Sequence, residues 1–174
     1  MVLGSWFLVL GVGVVSPQVF AKGPKPLKAV AVLQDAEGKK VGTAKFAEVP
    51  GGVRMKLTVS KLALGRHGIH IHETGTCKGP DFKSAGGHFN PAHKQHGLHN
   101  RKGAHAGDLP NLVANAKGKA KITIMMDHVV LGEGKNSLLG PGGTAVVVHE
   151  KADDEKTDPS GNSGTRIACG VIEK

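Results

Sequence analysis

The clearest pattern of apolar and polar positions lies at residues 53–60, where Val53, Met55, Leu57 and Val59 alternate with Arg54, Lys56, Thr58 and Ser60. A period of two puts one row of side chains on each face of a strand, so this segment predicts a half-buried β-strand. Ala29 to Leu33 and Val41 to Phe46 precede it as β-type runs, separated by a turn at Asp35 to Lys39. Pro50-Gly51-Gly52 turns the chain into the periodic segment. Gly68 to His72, Ala120 to Met126, Thr144 to His149 and Arg166 to Ile172 read as further strands. No long stretch carries helical periodicity. Two stretches, 73–118 and 150–165, read as long loops, and loops of that length inside a compact domain are usually functional. The pattern predicts an all-β fold, an eight-stranded antiparallel Greek-key barrel or sandwich with two long functional loops. There is no internal repeat and no second domain.

Composition agrees with short strands and many turns. Of 174 residues, 26 are Gly, aromatics make up 3%, and Tyr is absent. Residues 1–21 stand apart. They carry no charged side chain, and Trp6 to Leu10 through Val14-Val15 forms an apolar core followed by Pro17 and Val19-Phe20-Ala21. This predicts a signal peptide over 1–21, with an uncleaved anchor as the alternative. The run is short for a membrane span, which needs about 20 residues. Residues 22–27, Lys-Gly-Pro-Lys-Pro-Leu, read as a linker. The expected destination is the periplasm, the cell envelope or the outside medium.

The two cysteines, Cys77 and Cys169, then predict one disulfide, since exported chains oxidise their thiols. Closing a loop of about 90 residues stabilises the fold by roughly 4–5 kcal/mol in the chain-entropy account. The net charge of +9 comes from lysines spread along the chain after residue 21. Such a surface attracts small anions or an anionic cell surface. No aromatics interleave with the lysines, so nucleic-acid bases have nothing to stack on and nucleic acid is not expected as a partner.

Ten histidines change the picture more than the charge does. His70 and His72 sit at i and i+2 of one strand, so their imidazoles share a face while Ile69 and Ile71 point the other way. The loop that follows holds His88, His93, His96, His99, His105 and Asp108, a donor set that suits zinc or copper without thiolate. A solvated loop that scavenges metal loosely has the same composition. His149 ends the apolar run Ala145 to Val148 at a sheet rim.

Five segments carry a resemblance. Gly68-Ile69-His70-Ile71-His72-Glu73, Gly86-Gly87-His88-Phe89-Asn90-Pro91, His96-Gly97 with His105-Ala106-Gly107-Asp108-Leu109, Val147 to Asp154, and Gly161 to Gly170 occur in this order. They are similar to the metal-binding and C-terminal signatures of the copper/zinc superoxide dismutases, over about residues 28 to 172. The resemblance implies a dismutase domain over 28–174 with one copper and one zinc ion per subunit. Copper would take His70, His72, His88 and His149, and zinc would take His88, His96, His105 and Asp108, with His88 shared. Arg166 would dock the superoxide anion. Asp153 would link a copper histidine to a zinc histidine, the alternative being a solvated member of the Asp153-Asp154-Glu155 run. His67 matches a structural position, and His93, His99 and His128 read as exposed. The implied reaction turns superoxide into dioxygen and hydrogen peroxide, protecting against superoxide outside the cytoplasm. Lys151 and Lys156 stand among Asp153, Asp154, Glu155 and Asp158 in a loop shorter than that of many eukaryotic members, so guidance of the anion by this loop does not follow. The expected assembly is a monomer or a homodimer. A metal-binding protein without turnover and a basic secreted protein that binds anionic polymers are the rival readings.

Overall fold

The computed structural model describes Met1 and residues 25–174. The expected signal peptide and the first half of the linker lie outside the described residues. Nine strands are assigned: β1 Lys28–Gln34, β2 Lys40–Val49, β3 Gly52–Val59, β4 Gly65–His67, β5 Ile69–His72, β6 Leu112–Ala114, β7 Ala120–Met126, β8 Ala145–His149 and β9 Arg166–Val171. Seven pair antiparallel in one curled sheet of order β5-β8-β9-β1-β2-β3-β7, and β4 pairs with β6.

The seven strand runs read from the sequence all appear, and β4 and β6 are the two beyond them. β4 and β5 are one run broken at Gly68, whose N–H and C=O still meet Lys151 O and His149 N across the sheet at 2.8 Å each. A side chain at Gly68 would press on Ser163 and Asp153, so the break is also where a loop packs closest. β6 lies inside the stretch read as loop, because three residues, Leu112 to Ala114, are too few to show a period.

Strict alternation sets the core. β1 and β3 bury every second residue, sending Ala29, Ala31 and Leu33, and Val53, Met55, Leu57 and Val59, into one apolar cluster. β5 and β8 instead are buried on both faces. Their inner face gives Ile69, Ile71, Val146 and Val148 to the main core. Their outer face carries His70 and His72 beside Val147 and Ala145, and it is roofed by the loop from Cys77 to Ala85. The Cys77–Cys169 disulfide ties that roof to β9, as the cysteine pair implied.

β5 ends the sheet, and its free edge is closed by the long loop. Phe89 N donates to Ile71 O at 2.8 Å, Ile71 N to Gly107 O at 2.9 Å, and Glu73 N to Gly87 O at 3.0 Å. An open edge is thereby satisfied, and residues 86–89 and 105–108 are registered against the two strand histidines. Gly107 must be glycine here, since a Cβ would collide with Ile71 O.

Leu57 is fully buried between facing strands. Leu57→Ala should therefore lower unfolding free energy by about 2–5 kcal/mol, read by chemical denaturation. A change near zero would mean that β3 does not face the core.

Candidate metal centre

Six imidazoles and one carboxylate meet above β5. His70 and His72 rise from its outer face, His149 ends the neighbouring β8, and His88, His96, His105 and Asp108 arrive on the loop registered to its edge. All seven are buried. Every metal-site residue read from the sequence is brought to this place.

The side chains form two groups. In the first, His70, His72, His88 and His149 each offer a nitrogen, and these atoms lie within 4.8 Å of one another. The four are His70 Nδ1, His72 Nε2, His88 Nε2 and His149 Nε2, and each is buried without a hydrogen-bond partner. Buried polar atoms are normally satisfied, so four orphans aimed at one point mark a place for a ligand. Their companion nitrogens are engaged. His72 Nδ1 donates to Gly86 O at 3.0 Å, His149 Nδ1 faces Ser163 Oγ at 3.1 Å, and His70 Nε2 donates to Asp153 Oδ2 at 2.7 Å. Those bonds fix which nitrogen of each ring is left free.

The second group centres on Asp108 Oδ1. It lies 2.9 Å from His88 Nδ1, 3.0 Å from His96 Nδ1 and 3.2 Å from His105 Nδ1. His105 Nδ1 and His88 Nδ1 are 3.4 Å apart. A tetrahedral ion with bonds of about 2.0–2.1 Å holds its ligands about 3.3 Å from one another, so this spacing fits zinc. His70 also falls within reach of this group through its nitrogens, although its Nε2 is taken by Asp153. His88 belongs to both groups, one nitrogen facing each.

Electrostatics separate the two halves. Burial holds the imidazoles of His72, His88 and His149 neutral, with pKa values lowered to about 2, about 4 and about 3, and His70 is lowered by the same cause. Neutral rings are the form that binds metal. His96 goes the other way. Burial opposes its charged form, but hydrogen bonds to Asp108 and Asp153 outweigh that and raise it to about 9. Asp108 and Asp153 are both held well below the usual carboxylate range despite burial, by the histidines that donate to them.

Asp153 is not solvated. It is 5% exposed, and its two oxygens accept from His70 Nε2 at 2.7 Å and His96 Nε2 at 3.0 Å. The rest of the acidic run is also tied down. Asp154 Oδ1 accepts from Lys156 N and Thr157 N, Glu155 Oε1 from Asn111 Nδ2, and Asp158 Oδ1 from His96 N. These carboxylates shape the loop from within. Asn111 has no counterpart in the sequence reading. Its amide donates to Asp153 O and accepts from Asp153 N, both at 2.8 Å, and an isolated Asn in a loop gives no local sign of such a partner 42 residues away. Gly161 is a second unheralded residue, at φ 62°, where a Cβ would strike Asp153 Oδ1 and His96 Nε2.

Arg166 opens β9 directly opposite His149. Its guanidinium donates to Phe82 O at 2.8 Å and Gly86 O at 2.7 Å, so Gly86 O also ties it to His72. It lines a depression of about 550 Å³ with Pro80, Asp81, Lys83, Gly164 and Thr165. His67 faces His149 O and Ala63 O at 2.8 and 3.0 Å, which is a structural role. His93, His99 and His128 are exposed, as expected.

Residues 40–172 match the family model described as copper/zinc superoxide dismutase. The chain is 48% identical over 156 residues to superoxide dismutase [Cu-Zn] 2 of Aquifex aeolicus, covering 88% of this chain and 91% of that protein. It is 44% identical over 148 residues to the superoxide dismutase [Cu-Zn] of Caulobacter vibrioides, covering 83% and 85%. A crystal structure of a superoxide-dismutase-like protein from Bacillus subtilis superposes with a TM-score of 0.79 at 43% identity, covering 82% of this chain and 96% of that one. The copper/zinc superoxide dismutase from Brucella abortus superposes with a TM-score of 0.69 at 34% identity, covering 84% and 100%. The family match, these relatives and two histidine groups sharing one ring lead to one conclusion: the chain belongs to the copper/zinc superoxide dismutase family.

Proposed function

We propose that His70, His72, His88 and His149 would hold copper, that His88, His96, His105 and Asp108 would hold zinc, and that the protein so loaded dismutes superoxide to dioxygen and hydrogen peroxide. The observation that carries this assignment is the set of four buried, unpartnered nitrogens, one from each proposed copper ligand. Copper held there supplies the electron chemistry, since it alternates between two oxidation states, while zinc has no redox chemistry and fixes geometry.

The chain's own residues do the remainder. Arg166 receives the anion. A guanidinium keeps its charge at working pH, and two of its N–H groups are already anchored on Phe82 O and Gly86 O, so it presents its free edge without reorganising. His88, whose Nδ1 is turned to Asp108, holds or releases a proton at Nε2, the atom that faces the copper group. Asp153 keeps the His70 and His96 rings in one orientation by accepting from both. Burial of the four copper-side rings keeps them neutral, the form that binds metal.

Residues 1–21 act as an export signal and 22–27 as a linker to a domain over 28–174. The Cys77–Cys169 disulfide supports a destination in the periplasm, envelope or medium. There the protein would work as a monomer or homodimer, with its basic surface able to meet an anionic cell surface.

His88→Ala should abolish joint binding of the two ions and nearly all turnover, measured by elemental analysis and superoxide consumption. A variant that keeps most of its activity would count against the shared ring. Arg166→Ala should lower kcat/KM while copper and zinc content stay near wild type, and loss of copper would make Arg166 a scaffold residue instead. Zinc uptake by metal-free protein should release a proton below about pH 9, because His96 is raised to about 9 and must lose its proton to bind. Zinc affinity should therefore rise with pH across that window, which calorimetry in buffers of different ionisation enthalpy reads directly.

A further inference from the structure

The four strands β1, β2, β3 and β7 carry none of the metal-site residues, yet five cations, Lys28, Lys45, Arg54, Lys56 and Lys121, stand on their outer face. Their register brings twelve outward positions into three ranks. Lys28, Ala47, Arg54 and Met125 form one, Val30, Lys45, Lys56 and Thr123 the next, and Val32, Thr43, Thr58 and Lys121 the third. Five of the twelve are cations and none is a carboxylate. Beyond the third rank the face runs into a groove of about 540 Å³ lined by Lys40, Lys119 and Lys121 with Thr43, Thr58, Ser60 and Asn115.

Among the described residues, no Lys or Arg of this face or groove forms an ion pair; the paired ones are Lys61, Arg66 and Lys83, elsewhere. The nearest acids are otherwise occupied or lie at the rim. Asp35 pairs with Lys61 at 3.5 Å, and Glu48 accepts from Leu131 N and Gly132 N at 3.1 Å each. Glu37 and Asp127 sit at the turn or strand ends, and Glu173, bridged to Val30, is the one carboxylate beside the second rank, at the margin of the face beyond β1.

This arrangement works against the fold. Lys45 and Lys56 are directly opposite on adjacent strands, and like charges so placed destabilise a sheet. Lysine on an edge strand wards off aggregation, which accounts for Lys121 on β7. It does not account for Lys45 or Lys56, since β2 and β3 are interior strands. A bound polyanion would relieve the repulsion. The face has no aromatic side chain for stacking on bases or entering a bilayer interface, and the groove continues it as a track for an extended chain.

We propose that this face docks a linear anionic polymer bearing phosphate groups along its length. The phosphates would lie across the Lys45–Lys56 and Lys121 ranks and enter the groove beside Lys40 and Lys119. This gives the anionic contact proposed above a defined surface, and it is independent of the metal centre.

The test titrates metal-loaded protein with inorganic polyphosphate across a salt series. Wild type should bind with strong salt dependence. The variant Lys45→Gln/Lys56→Gln/Lys121→Gln should bind roughly a hundredfold more weakly, with its log–log salt slope reduced by about 2, and should keep wild-type dismutase turnover. A control of equal charge change, Lys94→Gln/Lys102→Gln/Lys135→Gln, should keep affinity within about threefold of wild type. If the first variant folds poorly, Lys28→Gln/Arg54→Gln provides the same comparison. Equal weakening by the control, or salt-independent binding, would overturn the proposal. Preferential binding to vesicles of anionic phospholipid through the same three lysines would replace the polymer with a membrane and also overturn it. Undiminished binding by the first variant would overturn it as well.

Discussion

One carboxylate holds the two halves of the metal centre together. Asp153 accepts from His70 Nε2 with one oxygen and His96 Nε2 with the other, so a ring from β5 and a ring from the long loop share a single rigid partner. Both bonds lie in a buried setting, where a half-satisfied network is costly and a complete one is rigid. Asp153 is itself clamped by Asn111 through its own backbone N–H and C=O. Gly161 leaves the room in which the carboxylate lies. The loop 150–165 is thus less a charged surface loop than the bracket of the site.

The bracket depends in turn on how β5 ends the sheet. An edge strand with free backbone groups invites a partner, and the loop 73–118 supplies one from within the chain. Its two passes along β5 place His88 and Asp108 beside His72 and His70. The disulfide holds the remaining part of the loop against β9, next to Arg166. Backbone pairing, a covalent tie and one carboxylate therefore act on the same few side chains and fix their positions.

Charge is divided between two regions of the molecule. Around the proposed copper, burial keeps four imidazoles neutral and one anchored guanidinium provides the positive end. On β1, β2, β3 and β7 the cations are exposed, unpaired and repel each other. The first arrangement favours a small anion beside one anchored cation, and the second favours an extended anion that spans several. The two arrangements share no residue, and the strand order keeps them on different parts of the sheet.

The sequence by itself determined the strands with clear alternation and the pairing of the cysteines, and its family resemblance singled out the six histidines and one aspartate that the structure brings together. Val53 to Val59 showed a period of two because alternate side chains face opposite sides, and His70 with His72 shared a face for the same reason. Only the tertiary structure decided which nitrogen of each ring is left free, that Asp153 is buried rather than solvated, that Leu112–Ala114 is a strand, and that Asn111 and Gly161 belong to the site. It also decided that Lys28, Lys45, Arg54, Lys56 and Lys121 share one face, since register across strands aligned them. Periodicity is a local property that neighbouring residues express along the chain, whereas the choice of hydrogen-bond partner depends on where segments tens of residues apart come to rest.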